Sequence, residues 1–291
     1  MDGHKPIFVV SDLHIGDGGT RDNFAVDDKD EQFDLFLDHV CDQDGKLIVL
    51  GDLFDFWQAN VGNVIVRCLP MLDRLAAMRA EYVVGNHDAD LAGLIGQGLL
   101  NHPFFTHMQG AFVRTIGGKK FKFMHGHEVE PVGDSDSPGW ARILAILGGI
   151  IEDKKGSPLL SAGGITEKIL LKSGRASMHI WNFFVNRLEK SVPGGHPHEH
   201  HVEAELTPSQ SPERAKGMLA LYRNDKDRCG YDIVIAGHTH KAHRHEDWYY
   251  NSGCWVGLRN NFLRISPDGD VHIFDWKNGE AILNDISDPE N

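Results

Sequence analysis

Five short groups of residues in this 291-residue chain could do chemistry together: Asp12-x-His14, Gly51-Asp52-x-x-Asp55, Gly85-Asn86-His87-Asp88, His125-Gly126-His127 and His238-Thr239-His240. They are built from carboxylates, imidazoles and one amide, and none contains a cysteine. Such a set of oxygen and nitrogen donors suits Mn²⁺, Fe or Zn²⁺ better than it suits a thiolate-rich structural zinc site. Each group alone has a plainer account. Asp12 could close a turn after a strand, and His87 could bind metal, move a proton or only pack. Taken together there are enough donors for two ions that share a carboxylate. Two ions about 3.5–4 Å apart form the usual clamp for phosphoryl transfer.

Something rigid must carry these groups. "IFVV" (7–10), "KLIVL" (46–50), "YVV" (82–84), "FKFM" (121–124) and "DIVIAG" (232–237) each stand just before one of them. Short, apolar runs of this kind, most of them rich in β-branched residues, read as buried strands. The carboxyl ends of strands are where open α/β sheets place their ligand crevice. In an extended chain residues two apart point the same way, so Asp12 and His14 are expected to converge. Gly85 is expected to permit a tight exit from its strand. Phe33, Phe36, Leu37 and Val40 recur at helical spacing after aspartates that can cap, and "LDRLAAMRA" (72–80) is also helical. "AFVRTIGGKKFKFM" (111–124) predicts a β-hairpin, because Gly117-Gly118 can supply the positive φ angles of a two-residue turn. "DWYYNSG" (247–253), "FLRI" (262–265) and "VHIFDW" (271–276) predict further strands, with "SPDGD" as a turn. The alternation of strand and helix points to an α/β fold.

Residues 129–230 interrupt that pattern. The segment opens with "EPVGDSDSPGW" and continues in apolar, helix-like pieces before strands resume. The expected organisation is a catalytic core from 1–128 and 231–291, with an inserted helical cap over 129–230. Within the insertion Lys168, Lys172 and Arg175 flank apolar Ile169, Leu170 and Leu171. Such a face could take an acyl chain while the basic residues meet phosphate; an amphipathic helix packed on the core is the plainer account. "HPHEHH" (196–201) lies in a Pro/Gly-rich loop with nothing to preorganise it, so it is read as an exposed loop.

The formal net charge of −13 argues against a general nucleic-acid coat, whose affinity rests on Lys and Arg. It permits a phosphate substrate, because metal ions can supply local positive charge. The four cysteines, Cys41, Cys68, Cys229 and Cys254, show no C-x-x-C spacing and read as reduced thiols. The opening "MDGHKPIFVV" has no signal-peptide apolar region, and "ILAILGGII" (143–151) is too short to span a bilayer. A cytoplasmic location is expected.

The ordered series D-x-H, GD-x-x-D, GNHD, H-G-H and G-H-T-H resembles the calcineurin-like metallophosphoesterases over roughly 7–128 and 231–276. The resemblance implies two β layers flanked by helices, and two divalent metal ions, with Mn²⁺ the first expectation. It implies that Asp12, His14, Asp52 and His240 hold one ion. Asp52, Asn86, His125 and His238 would hold the other, with Asp52 bridging. It further implies in-line attack of a metal-bridging hydroxide on phosphorus. His87 would be the proton donor to the leaving group, with Asp55 orienting and charging it. His127 could be a supporting residue or touch substrate. "GDLFDFW", the helical insertion and "YYNSGCWV" resemble the branch that contains UDP-2,3-diacylglucosamine diphosphatase. That finer resemblance implies a nucleotide-sugar lipid of lipid A biosynthesis as substrate and peripheral contact with the inner membrane. That branch usually has Arg in a GNRD motif where this chain has His87. A general phosphomonoesterase or phosphodiesterase, a nuclease, and a non-catalytic scaffold on the same fold are the alternatives.

Overall fold

In the computed structural model the described residues are 5–19, 22, 24–25, 28–57, 59–129 and 212–284. The inserted segment, including Lys168, Lys172, Arg175 and the "HPHEHH" loop, lies outside them apart from its two ends.

The first predicted strand is β1 (Ile7–Val10), and its side chains divide by alternation. Ile7 and Val9 enter one apolar cluster while Phe8 and Val10 enter another. β2 (Lys46–Leu50) behaves likewise, with Ile48 and Leu50 on the first side and Leu47 and Val49 on the second. Strands buried on both faces read as continuous apolar runs, which is why these segments show no polar alternation. β1 and β2 pair in parallel, and β2 pairs in parallel with β3 (Glu81–Val83). A fourth parallel strand, β4 (Met108–Gln109), follows β3.

The hairpin forms as predicted, as β5 (Phe112–Ile116) and β6 (Lys119–Phe123). Gly117 and Gly118 have φ of 54° and 81° at its tip. β7 (Ile233–Ala236) pairs in parallel with β6. β9 (Tyr249–Asn251) pairs in parallel with β7 and antiparallel with β8 (His243–His245). β10 (Asn261–Ile265), β11 (Val271–Lys277) and β12 (Glu280–Leu283) return antiparallel to the first sheet. The result is a seven-stranded sheet, β12-β11-β10-β1-β2-β3-β4, and a five-stranded sheet, β5-β6-β7-β9-β8.

The sheets face each other across the cluster of Ile7, Val9, Ile48, Leu50, Val83, Phe121, Phe123, Ile233 and Ile235. Outside the larger sheet lie α1 (Lys29–Asp42) and α2 (Val61–Ala77). Outside the smaller sheet, Met218 and Tyr222 of α4 (Pro212–Cys229) pack on Val234, Ala236 and Tyr249. A short helix, α3 (Asp90–Gly96), follows β3. The expected α/β sandwich of two β layers flanked by helices is the fold observed.

Two helical expectations needed correction. Asp28 precedes α1 but makes no side-chain cap; its carboxylate accepts instead from Gln32 Nε2 at 2.8 Å. α2 begins at Val61, well before the "LDRLAAMRA" stretch, with Asn60 capping Gly62 and Asn63. Its first ten residues carry Gly62, β-branched residues and Pro70, all poor helix formers. Buried Val64, Cys68, Leu72 and Leu75 nevertheless recur at helical spacing and tie it to the core. Packing has overridden propensity there. Among the described residues no helix is long and apolar enough to cross a membrane.

Phe36 sits at the centre of the outer cluster, with ring centroids 5.0–6.4 Å from those of Phe262, Trp255, Trp276, Phe33 and Phe8. Phe36→Ala is expected to destabilise the fold by about 3–5 kcal/mol, the usual cost of emptying a buried aromatic site. Urea unfolding would read this as a lower midpoint at unchanged slope.

Candidate metal centre

The five groups of polar residues stand just past β1, β2, β3, β6 and β7, all of which run parallel to a neighbour. Both sheets therefore deliver their groups from carboxyl ends, and the two sets meet. Asp12, His14 and His240 form one cluster in which ligand atoms lie within 4.8 Å of one another; Asp52, His125 and His238 form a second. Asn86 joins the second set, with Oδ1 3.1 Å from His125 Nε2. Asp52 Oδ2 lies 3.2 Å from His125 Nε2 and 3.7 Å from His14 Nε2, so one carboxylate oxygen faces both sets.

The expected reason for convergence was wrong in one respect. Asp12 and His14 do not alternate along an extended strand, since their φ angles are 53° and 49°. Asp52, His238 and His240 are also left-handed, at 48°, 69° and 55°. Thus five of the nine described non-glycine residues with positive φ belong to this centre. Asp and His tolerate that region better than most side chains, and sparsely populated backbone conformations cluster at functional sites.

Glycine is needed here for space. Gly85 lacks a positive φ, contrary to a tight-turn role, but a Cβ there would meet Asp52 Oδ1 at 2.1 Å. At Gly51 a Cβ would meet His125 Nδ1 at 2.3 Å, and at Gly237 it would meet Ser11 Oγ at 2.5 Å. A glycine immediately before Asp52, Asn86 and His238 is the visible trace of this close approach in the sequence.

The ligand side chains are oriented from behind. His125 Nδ1 donates to the Leu50 carbonyl at 2.9 Å, which turns Nε2 toward Asp52 and Asn86. Asp12 Oδ2 accepts from the His238 N–H at 2.9 Å and from Ser11 Oγ. Asp88 accepts from the N–H groups of Gly85 (2.8 Å), Leu53 (2.8 Å) and Phe54 (3.3 Å), joining the loops after β2 and β3. Glu128 braces the loop after β6 by accepting from His125 N (3.2 Å) and Gly126 N (2.6 Å). Asn251 does the same after β7, with Nδ2 bonded to the Gly237 carbonyl and Oδ1 accepting Gly253 N–H. Sequence reading missed Ser11, Glu128 and Asn251 as supporting residues. Glu128 had a signal, since it lies directly after the H-G-H group.

His87 lies beside the first cluster, its ring edge-to-face with that of His14 at 4.5 Å, and belongs to neither donor set above. Its Nδ1 is 3.1 Å from Asp55 Oδ1, and its backbone N–H donates to Asp52 Oδ1 at 2.9 Å. His14, Asp55 and His87 also form a close triad of polar groups. His127 stands further back, its Nδ1 3.6 Å from Glu128 Oε2, and belongs to neither cluster.

The charge balance follows from burial. Burial raises the pKa of Asp12, but the His240 and His125 imidazoles hold it well below the usual carboxylate range. Asp52 shows the same competition, with His125 and His87 prevailing over burial. Burial works to raise Asp55, but the His87 hydrogen bond and the His87 and His14 charges together lower it. Burial works against charge on His87 and His125, yet nearby carboxylates raise both, Asp52 foremost. Burial, with Asp52 close by, pushes Asp88 up to about 6. Carboxylates that raise imidazole pKa values this way favour any cation placed among them. Asp12 Oδ1 is buried and has no well-aligned hydrogen-bond donor among the described residues. The donor set and this orphaned oxygen fit a divalent ion.

Fold and site together define a metal-dependent phosphoester hydrolase. A family model described as calcineurin-like phosphoesterase matches residues 5–242, and the chain belongs to that family. No curated protein sequence matches the chain. Among solved structures it is similar to a dimetal phosphatase from Danio rerio, at 12% identity and TM-score 0.48, over 96% of this chain and 98% of that one. It is also similar to Vps29 from Entamoeba histolytica complexed with zinc, at 15% identity and TM-score 0.44, over 96% and 97%. A putative 5′-nucleotidase from Staphylococcus aureus matches at 14% identity and TM-score 0.36, over 97% of this chain and 54% of that one.

Gly85→Ala is expected to displace Asp52 and lower metal-dependent hydrolysis by about 10²-fold, as misplacements near 1 Å commonly do. Gly93→Ala, in α3 with open space around it, is the matched control and should leave the rate unchanged. Metal content by mass spectrometry and rate measured on the same samples check both.

Proposed function

We propose that the chain hydrolyses a phosphodiester or pyrophosphate bond with two divalent ions held by its seven clustered ligands. Asp12, His14, Asp52 and His240 would hold one; Asp52, Asn86, His125 and His238 would hold the other. The observation that carries this reading is the position of Asp52, a nearly fully buried carboxylate that faces both donor sets. When bound, the ions supply an activated water nucleophile and neutralise charge on the phosphoryl oxygens. The nitrogen-and-oxygen donor set admits Mn²⁺, Fe or Zn²⁺, and the family resemblance puts Mn²⁺ first.

The chain's own residues handle the leaving group. Asp55 holds the Nδ1 side of His87, which frees Nε2 to give a proton to the departing oxygen. A histidine there can release and regain a proton near neutral pH, whereas an arginine could only grip the phosphate.

For the substrate, "GDLFDFW" and "YYNSGCWV" support a nucleotide-sugar lipid resembling UDP-2,3-diacylglucosamine, cleaved at the α-phosphorus to UMP and an acylated sugar phosphate. Lys168, Lys172 and Arg175 of the proposed cap over 129–230, and separately His127 of the core, are the candidates to receive it, and such a lipid would bring the protein to the cytoplasmic face of a membrane. His87 in place of arginine supports a wider range of simple phosphoesters.

Two variants separate the roles. Asp52→Asn should lose bound metal and all turnover. His87→Ala should keep its metal while kcat falls about 10²–10⁴-fold, the usual span for a lost general acid. Bis-p-nitrophenyl phosphate with Mn²⁺ reads the chemistry; release of UMP from UDP-2,3-diacylglucosamine reads the lipid assignment. Wild-type rates in Asp52→Asn would overturn the dinuclear reading, and turnover of the simple diester alone would remove the lipid.

A further inference from the structure

Trp57 is a nearly buried aromatic residue beside the centre that neither donor set uses. Its ring stacks on that of His87, with centroids 3.7 Å apart and planes 20° apart. His14 meets the same imidazole edge-to-face at 4.5 Å. Asp55 Oδ1 takes the Nδ1 side and also accepts the backbone N–H of Trp57 at 3.2 Å. Between Asp55 and Trp57, Phe56 stacks on Phe54 at 5.4 Å and joins the outer core. The turn is thereby anchored on its apolar side while its two flanking residues reach the histidine.

One hydrogen bond does not fix an imidazole. The torsion that rotates the ring is broad, so a bond at Nδ1 alone leaves the plane free to tilt. A stacked indole removes that freedom, because tilting breaks face-to-face contact. We propose that Trp57 is a positioning residue for hydrolysis, whose indole face holds the His87 ring so that Nε2 points at the leaving-group oxygen. The inference rests on the reading of His87 as proton donor. It adds the residue that orients that donor, a role nothing in the sequence motif demands.

The test compares p-nitrophenyl and phenyl esters of thymidine 5′-phosphate, with Mn²⁺, across wild type, H87A, W57M, W57F and the H87A/W57M double variant. A misaimed proton donor hurts the poorer leaving group most. W57M should lose about tenfold in kcat on the phenyl ester, little on the p-nitrophenyl ester, and keep KM within about twofold. W57F keeps an aromatic face and should stay within about threefold of wild type on both. The double variant should be no slower than H87A alone, because both changes disable one group. In Zn²⁺-loaded protein the His87 ring protons, identified by their absence in H87A, should appear upfield from the indole ring current and return in W57M. Equal losses on both esters, an unchanged leaving-group ratio in W57M, or additive losses in the double variant would overturn the inference. So would the absence of the upfield signal in wild type, which decides the matter even if W57M fails to fold. If H87A itself leaves rate and ratio untouched, the proton-donor reading fails instead.

Discussion

The constraint on which the rest depends is the burial of carboxylates where the two sheets meet. Asp12, Asp52, Asp55 and Asp88 are all at most 5% exposed. Taking an ion of that size out of water costs several kcal/mol even after relaxation. Four such groups in one region would not be tolerated unless partners had been built around them. The partners are visible: amides of Gly85, Leu53, Phe54, Trp57, His87 and His238, and the imidazoles of His14, His87, His125 and His240. Asp88 accepts backbone N–H groups from two loops, with the Tyr82 hydroxyl also beside it, and so acts as a brace. Asp12 and Asp52 are left with oxygens directed at imidazole nitrogens, an arrangement that a divalent cation completes.

Satisfying those carboxylates fixes the backbone around them. Three short strand exits in the larger sheet and two in the smaller must approach within contact distance, and side chains at Gly51, Gly85 and Gly237 would prevent it. The left-handed conformations of Asp12, His14, Asp52, His238 and His240 have the same origin. Each residue turns its side chain into a space that an extended strand exit would miss. Backbone strain of this kind costs of order 1–3 kcal/mol per residue. The inter-sheet cluster of Ile, Val, Leu and Phe side chains supplies the rigidity that sustains it.

The donor residues were legible in the sequence because chemistry restricts their types and the strands before them are buried on both faces. "IFVV", "KLIVL" and "IVIA" needed no tertiary information to be read as strands. What stayed hidden depends on contacts between distant segments. The start of α2 runs against local propensity and exists because Val64 and Cys68 meet the core. The edge strands β4, β8 and β12 are two to four residues long and have little apolar pattern to detect. Gly85 was legible as important and illegible as to why, since the atom it makes room for lies on Asp52, in the loop after a neighbouring strand. Nothing local in "GDLFDFW" sets Trp57 apart, because its partner His87 stands in the loop after another strand.

That last segment shows how one loop can serve two tasks without mixing them. Leu53, Phe54 and Phe56 enter the outer core, while Asp52, Asp55 and Trp57 face the other way. Asp52 Oδ2 looks toward both imidazole sets, and its Oδ1 receives the His87 backbone N–H. Asp55, three residues later, meets the His87 ring and accepts the Trp57 backbone N–H, with His14 in the same close group. On the proposed roles, the carboxylate that faces the ions and the one that holds the proton donor share one loop. Moving the loop would disturb both tasks, whereas changing Asp55 or Trp57 alone would disturb only the second. Ion binding and leaving-group chemistry, on the proposed roles, fall to different side chains of one loop. A stacked histidine at position 87 suits that division, because two of the groups that hold its ring, Asp55 and Trp57, belong to neither donor set, while His14 meets it only at an edge.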